Sequence, residues 1–413
     1  MFDLAVTFLV LTAVMAYINV RFIRLPTTIG VMAIAMGLSL VVFALDAVGI
    51  SALKDYEVSL LSSIDFSDVL MQGMLSLLLF AGALHVDLSE LKAYRWQIGA
   101  LAVLGTLSST ALIGGAVWWL LPWVGIELPL IYCLLFGALI SPTDPIAVMG
   151  IVKSAGAPKN LELTIAGESL FNDGVGVVVF TLLLAAATSG QTPEAAQIGL
   201  LVAEEVGGGI LFGLLLGFIT YRMLKSIDSY QEEVLITLAA VLGGYALATH
   251  LHVSGPLAMV VAGLIVGNHG RAMAMSHKTR EYLDMFWDLI DAMLNAVLFV
   301  LIGLEMVLIQ YAPGLALAVA LVITITLTAR LLVVGAPVAL LHRQFRLPRG
   351  AWQVLTWGGL RGGISVALAL SLQEGPERDL VLALTYAVVV ASIFGQGLTV
   401  GAVVRRAIGR PTH

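Results

Sequence analysis

Long apolar runs, separated by short polar and basic clusters, occupy this chain almost from end to end. They lie at 3–20, 28–45, 68–86, 97–121, 128–152, 161–187, 200–223, 233–250, 255–269, 284–309, 313–341, 350–372 and 380–404. A helix needs about 20 mainly apolar residues to cross a bilayer, and most of these runs meet that length. The pattern predicts an all-α polytopic membrane protein of about thirteen transmembrane helices. A membrane-spanning β-barrel would instead show alternating segments of about ten residues. The connections leave no room for a soluble domain, so 1–413 reads as one membrane unit.

Two runs are interrupted. In the fifth, Ser141-Pro142-Thr143-Asp144-Pro145 places two prolines and a carboxylate in mid-span. Proline lacks the backbone N–H and breaks a helix. In the twelfth, Gly358-Gly359-Leu360-Arg361-Gly362-Gly363 does the same with glycine. Seven spans separate the two, so they run in opposite directions through the membrane. Broken helices of opposite orientation are what inverted-repeat transporters use to build a midplane site. Spans 1–6 and 8–13 are expected to form the repeats, linked by span 7.

Charge distribution orients the chain. Of 21 Lys and Arg, 17 fall on one side under this span assignment: Arg21, Arg24, Lys92, Arg95, Lys153, Lys159, Arg222, Lys225, Arg271, Lys278, Arg280, Arg343, Arg346, Arg349, Arg405, Arg406 and Arg410. Lys54 and Arg378 fall on the other side, while Arg330 and Arg361 lie within spans. The positive-inside rule then predicts an outer N-terminus and a cytoplasmic C-terminus in the cell membrane. The outer stretch between spans two and three is acidic, with Asp46, Asp55, Glu57, Asp65 and Asp68. The first run ends at Arg21 and Arg24 without a small-residue cleavage site, so it is expected to stay as a helix.

Composition agrees: 59% of residues are hydrophobic and 12% charged, with mean hydropathy +0.99. An average soluble domain is about 25% charged. The single cysteine, Cys133, excludes an intrachain disulfide. No GxxxxGK[ST], HExxH or GxSxG occurs, which argues against direct ATP drive and the commonest membrane hydrolases. No cofactor and no nucleic-acid partner is expected.

Candidate chemistry sits in the membrane, where an Asp at mid-helix costs about 2.5–3.5 kcal/mol and usually marks an ion or proton path. Gly167-Glu168-Ser169-Leu170-Phe171-Asn172-Asp173-Gly174 lies in span 6. Ser169, Asn172, Asp173 and Gly176 share one helical face. Their oxygens suit a hard monovalent cation, and a partly dry Asp173 can hold either that cation or a proton. This competition would couple the two fluxes. Asp144, at the helix break, reads as an electrostatic partner, the alternative being a carboxylate that only neutralises helix ends. Glu168 lies about 140° from Asp173 around the helix and faces away. A salt bridge between Glu168 and Arg361 is expected, because neither charge is cheap unpaired. Arg330 needs a partner too, which the sequence leaves open. Asp284, Asp288, Asp291 and Asn295 form a stripe on span 10, so Asp291 and Asn295 are candidates for an entrance funnel or an ordinary interfacial face. His85 and Asp87 read as boundary residues at the end of span 3.

The three motifs at 141–145, 167–174 and 358–363 together resemble those of the NhaP-type monovalent cation:proton antiporters of the sodium/proton exchanger family, over the whole membrane region. The resemblance implies a secondary transporter, not an enzyme, that exchanges Na⁺, or Li⁺ or K⁺, for H⁺ by an elevator-like alternating access. It implies a homodimer in which 97–187 and 313–406 form a moving core and 1–86 and 200–309 a dimerisation scaffold. Na⁺ would bind at Asp173, Ser169 and the Thr143 carbonyl, supported by Asp144 and Asn172, with Glu168 and Arg361 as a structural ion pair. Asn172-Asp173, rather than Asp-Asp, resembles the electroneutral branch, which moves one cation for one proton. There is one departure: some relatives carry a Glu after the Phe of span 3, where this chain has Ala81. A channel or a non-transporting scaffold is the rival reading, but neither explains Asn172-Asp173 beside Asp144.

Overall fold

Residues 2–49, 73–189, 199–200, 203–270, 275–305 and 314–408 are described by the computed structural model. The acidic stretch from Asp55 to Asp68, Lys54, Arg271, Arg410, the start of the third span and the end of the tenth lie outside the described residues.

Helices form where apolar runs were expected. The uninterrupted spans are α1 (Val6–Ile23), α2 (Thr27–Asp46), α3 (Leu75–Leu84), α4 (Arg95–Val124), α6 (Lys159–Thr188), α7 (Ala203–Leu224), α8 (Tyr230–His250), α9 (Gly255–Gly270), α10 (His277–Leu304), α11 (Leu315–Leu341) and α13 (Pro376–Ile408). The fifth and twelfth are broken, into α5a (Leu130–Ile140) and α5b (Ile146–Ser154), and into α12a (Ala351–Trp357) and α12b (Gly363–Leu370). Local chemistry sets several starts. Ser276 accepts from the Thr279 amide at the head of α10, and Ser254 from the Leu257 amide at the head of α9. Pro376 opens α13, where its missing N–H costs nothing.

Two groups of helices emerge from the packing. α4, α5, α6, α11, α12 and α13 pack on one another, while α2, α3, α7, α8, α9 and α10 form a second group with α1 against α2 and α10. The groups meet where α6 touches α3 and α9, where α10 touches α12b, and where α2 touches the 392–397 turn of α13. In the second group α7 presents Gly209, Gly213 and Gly217 to α9. A side chain at these positions would strike the Ser254 carbonyl, the Ala258 carbonyl and the Ile265 side chain in turn. Small residues every fourth position bring membrane helices into close dispersion contact, where burying apolar surface gives no drive. Leu9, Val10 and Val14 on α1 and Leu211, Leu215 and Phe218 on α7 are exposed, an apolar surface that the described residues of this chain leave uncovered.

The breaks of α5 and α12 cross each other. The Asp144 amide donates to the Leu360 carbonyl at 2.8 Å, joining the two unwound segments by backbone. Non-helical backbone at membrane depth survives only when buried in protein or lining a cavity, with its polar groups satisfied. At this crossing the Asp144 amide and the Leu360 carbonyl meet that need for each other, beside a cavity.

Candidate ion-binding site

Prolines create the problem that the rest of the crossing solves. In an unbroken helix the Ser141 carbonyl would accept from residue 145, but Pro145 has no N–H. Arg361 supplies the missing donor: its Nη1 donates to the carbonyls of Ser141 (2.5 Å) and Pro142 (2.9 Å). The Arg361 amide in turn donates to Ser392 Oγ at 3.0 Å. Ser392 donates to Gln396 Oε1 at 2.8 Å, and Gln396 Nε2 caps the Trp357 carbonyl at 3.0 Å. These last residues occupy a widened turn of α13 (Ser392–Gly397). Such turns recur at functional sites.

The expected pairing of Glu168 with Arg361 is therefore corrected. Glu168 is bound by Arg330, whose Nη1 and Nη2 donate to Oε1 and Oε2 at 2.5 and 3.0 Å. Arg330 also donates to the Leu355 carbonyl, from Nε at 3.3 Å and Nη2 at 3.1 Å. Both partners are buried. The fork geometry of a guanidinium matches a carboxylate in this bidentate way. Arg361 is not available for it, being committed to the Ser141 and Pro142 carbonyls in the break.

Span 6 closes the site from the other side. Asn172 Oδ1 accepts from the Thr143 amide at 3.2 Å, and its Nδ2 donates to Thr143 Oγ1 at 2.9 Å. Thr143 Oγ1 and Ser169 Oγ are hydrogen-bonded at 2.9 Å. Asn172 and Ser169 thus hold the unwound residue 143 in place. Asp173, one position on, is only 8% exposed. It lines a cavity of about 130 Å³ together with Thr143, Asp144, Asn295, Gly362 and Ser365. The structure brings Asp173, Asp144 and Thr143 to this cavity, while Ser169 and Asn172 stand behind Thr143 and do not line it.

Gly362 explains how Asp144 fits. A side chain on Gly362 would collide with the Asp144 carboxylate, with Oδ2 at 2.5 Å and Cβ at 2.6 Å from the new atom. Asp144 therefore lies against the residue that precedes the first turn of α12b. A helix N-terminus carries about half a positive charge and favours an anion there.

A second, wider cavity of about 360 Å³ adjoins the first. Its wall includes His85, Asp87, Lys153, Lys159, Asp288 and Asp291. Gly82, Val86, Pro145 and Ala166 belong to the walls of both cavities. Asp291 stands in the outer chamber and Asn295 in the inner, and Asn295 Nδ2 donates to the Asp291 carbonyl and Oδ1 at 2.9 and 3.2 Å. His85, read from sequence as a boundary residue, is in the outer wall with Nε2 3.1 Å from Asp288 Oδ1. Its position four residues from Ala81, whose carbonyl meets Nδ1 at 2.8 Å, was visible in the sequence; its partner on α10 was not. Ser365 was missed altogether. The only signal was a hydroxyl four residues beyond Arg361.

Similarity to known proteins agrees with this architecture. The Na⁺/H⁺ antiporter NhaP of Pseudomonas aeruginosa is 55% identical, over 98% of this chain and 97% of that one. The Na⁺/H⁺ antiporter NhaH of Halobacillus dabanensis is 33% identical, over 90% and 91%. Among solved structures, the sodium proton antiporter MjNhaP1 of Methanocaldococcus jannaschii at pH 8 superposes with a TM-score of 0.76 at 19% identity, covering 98% of each chain. The pattern of the family described as "Sodium/hydrogen exchanger, transmembrane" matches residues 9–406, and the chain belongs to that family.

Proposed function

We propose that this integral membrane protein exchanges Na⁺ for H⁺, with the cation and the proton competing for Asp173. One observation carries the assignment of the site: Asp173 is nearly buried yet faces a cavity shared with Asp144 and Thr143, between two unwound helices. A carboxylate there attracts a small cation into a place where few waters can follow. When it leaves, a proton can neutralise the same carboxylate. One group holding one or the other, never both, links the two fluxes without a further coupling device.

Ligands from the Thr143 backbone and Asp173 would bind Na⁺, with Asp144 as an electrostatic support. Ser169 and Asn172 set the position of Thr143. α4–α6 and α11–α13 are proposed to move as one unit against the other helices, since the two groups pack within themselves and meet along few faces. The moving surface would carry the α5–α12 crossing and thus the ion. The scaffold helices are proposed to join two copies into a homodimer. The basic residues favour a cytoplasmic C-terminus in the cell membrane, which puts the chamber beside Lys153 and Lys159 on the cytoplasmic side.

Asp173→Asn tests the proposal, because it keeps shape and removes the titratable charge. In sealed vesicles, Na⁺-dependent proton movement is expected to disappear while detergent thermal unfolding stays close to that of the unaltered protein. Exchange at more than about a tenth of the original rate would place the coupling carboxylate elsewhere, since removing a group that must act in every cycle costs far more than tenfold.

A further inference from the structure

We infer that Ser365, on α12b, supplies a hydroxyl ligand to the transported cation; this rests on the site proposed above. Ser365 is 1% exposed, and its Oγ has no hydrogen-bond partner among the described residues. Buried hydroxyls in membrane helices normally donate to the carbonyl one turn back. That habit holds where Thr220 donates to Leu216, Thr326 to Val322 and Thr385 to Val381, while the buried hydroxyls of Thr12 and Thr356 are unpartnered among the described residues, as that of Ser365 is, but do not line the cavity of Asp173. Ser365 departs from it for a local reason. It lies in the first turn of α12b, so the residues three and four back are Gly362 and Arg361, in the unwound break. No regular helical carbonyl is presented to the hydroxyl.

Ser365 belongs to the wall of the same cavity as Asp173, Thr143 and Asp144. Leaving a buried hydroxyl unmet is costly, and the cost is retained only where something else meets it. In this cavity that partner is the cation or the water it carries. A hydroxyl oxygen is a hard, neutral donor that suits Na⁺ and Li⁺. It also brings α12 into contact with the cargo, which α5 and α6 otherwise hold, so cation occupancy would tie the two crossing breaks together.

Na⁺-dependent proton movement in sealed vesicles, read as half-saturating Na⁺ and maximal rate, tests the inference. Ser365→Ala is expected to raise half-saturating Na⁺ about fivefold, in line with one lost neutral contact, with the maximal rate kept within about twofold. Ser365→Thr, which keeps the hydroxyl, is expected to stay close to the original. Ser365→Cys keeps the volume but offers a soft sulfur. It is expected to weaken Na⁺ as alanine does while improving competition by Tl⁺ relative to Na⁺. Thermal unfolding in detergent establishes that each variant is folded, and the near-isosteric cysteine carries the test if alanine is not. Half-saturating Na⁺ within about twofold in both the alanine and cysteine variants would overturn the inference, as would a fall confined to the maximal rate. Failure of Asp173→Asn to abolish exchange would instead remove the site itself, so the two results are distinct.

Discussion

Arg330 on α11 and Glu168 on α6 form a doubly hydrogen-bonded ion pair, at 2.5 and 3.0 Å, with both side chains buried. The pair ties two helices of the α5–α12 crossing group together. Removing one partner leaves the other as an uncompensated buried charge, at a cost of about 3–5 kcal/mol. Arg330→Ala is therefore expected to lower the midpoint of thermal unfolding in detergent sharply. Adding Glu168→Gln should recover part of the loss, because the stranded charge is gone. Arg361→Ala should also destabilise, but Glu168→Gln should not rescue it, since Arg361 serves the carbonyls of Ser141 and Pro142. Equal rescue of both arginine variants would reject this division of labour.

Gly362 offers a separate test of the crossing. An added methyl there meets the Asp144 side chain, with Oδ2 at 2.5 Å and Cβ at 2.6 Å, so that side chain must shift. Gly362→Ala is expected to displace Asp144 and reduce exchange by about a hundredfold, the usual cost of an ångström-scale misplacement. Its unfolding midpoint should fall less than that of Arg330→Ala. Exchange rates in sealed vesicles alongside unfolding curves separate the two effects.

Legibility from sequence followed how local each feature is. Breaks at 141–145 and 358–363 could be read because proline and glycine act on their own backbone. The face shared by Asn172 and Asp173 could be read from helical periodicity, and so could the turning of Glu168 away from it. What Glu168 meets on that far side could not. Two arginines in distant spans were available, and the choice depends on a carbonyl at Ser141 that only the folded crossing brings to Arg361. The split role of the span 6 face was equally hidden: Asp173 reaches the cavity, while Ser169 and Asn172 turn to Thr143. Periodicity places residues on a face but does not say which atom of a neighbouring loop arrives first.

Asn172 makes that last point measurable. Its amide both accepts from and donates to Thr143, and both groups are buried. Asn172→Ala would leave the Thr143 amide without its acceptor, costing about 1–3 kcal/mol, and would loosen the residue whose carbonyl is proposed to bind the cation. Half-saturating Na⁺ should rise and the unfolding midpoint should fall together. A variant that loses stability while keeping its Na⁺ dependence would show that Thr143 needs no such support.

The charge moved per cycle follows from the same two positions. Two titrating carboxylates in the cavity could release two protons for each Na⁺, so that transport would carry net charge. Position 172 cannot titrate, and its amide is engaged with Thr143. Asp144 could, but its carboxylate lies against Gly362 at the head of α12b, where the helix dipole stabilises negative charge. Asp144 should then stay charged through the cycle, and Asp173 alone should exchange one proton for one Na⁺. The membrane potential acts only on net charge moved, at about 2.3 kcal/mol per charge per 100 mV. Collapsing the potential with valinomycin and K⁺ is therefore expected to leave Na⁺-driven proton flux unchanged. A sustained Na⁺-dependent current from protein adsorbed on a solid-supported membrane would contradict the one-for-one exchange and make Asp144 the second proton carrier. Asp144→Asn would then abolish that current, whereas under one-for-one exchange there is no such current for it to abolish.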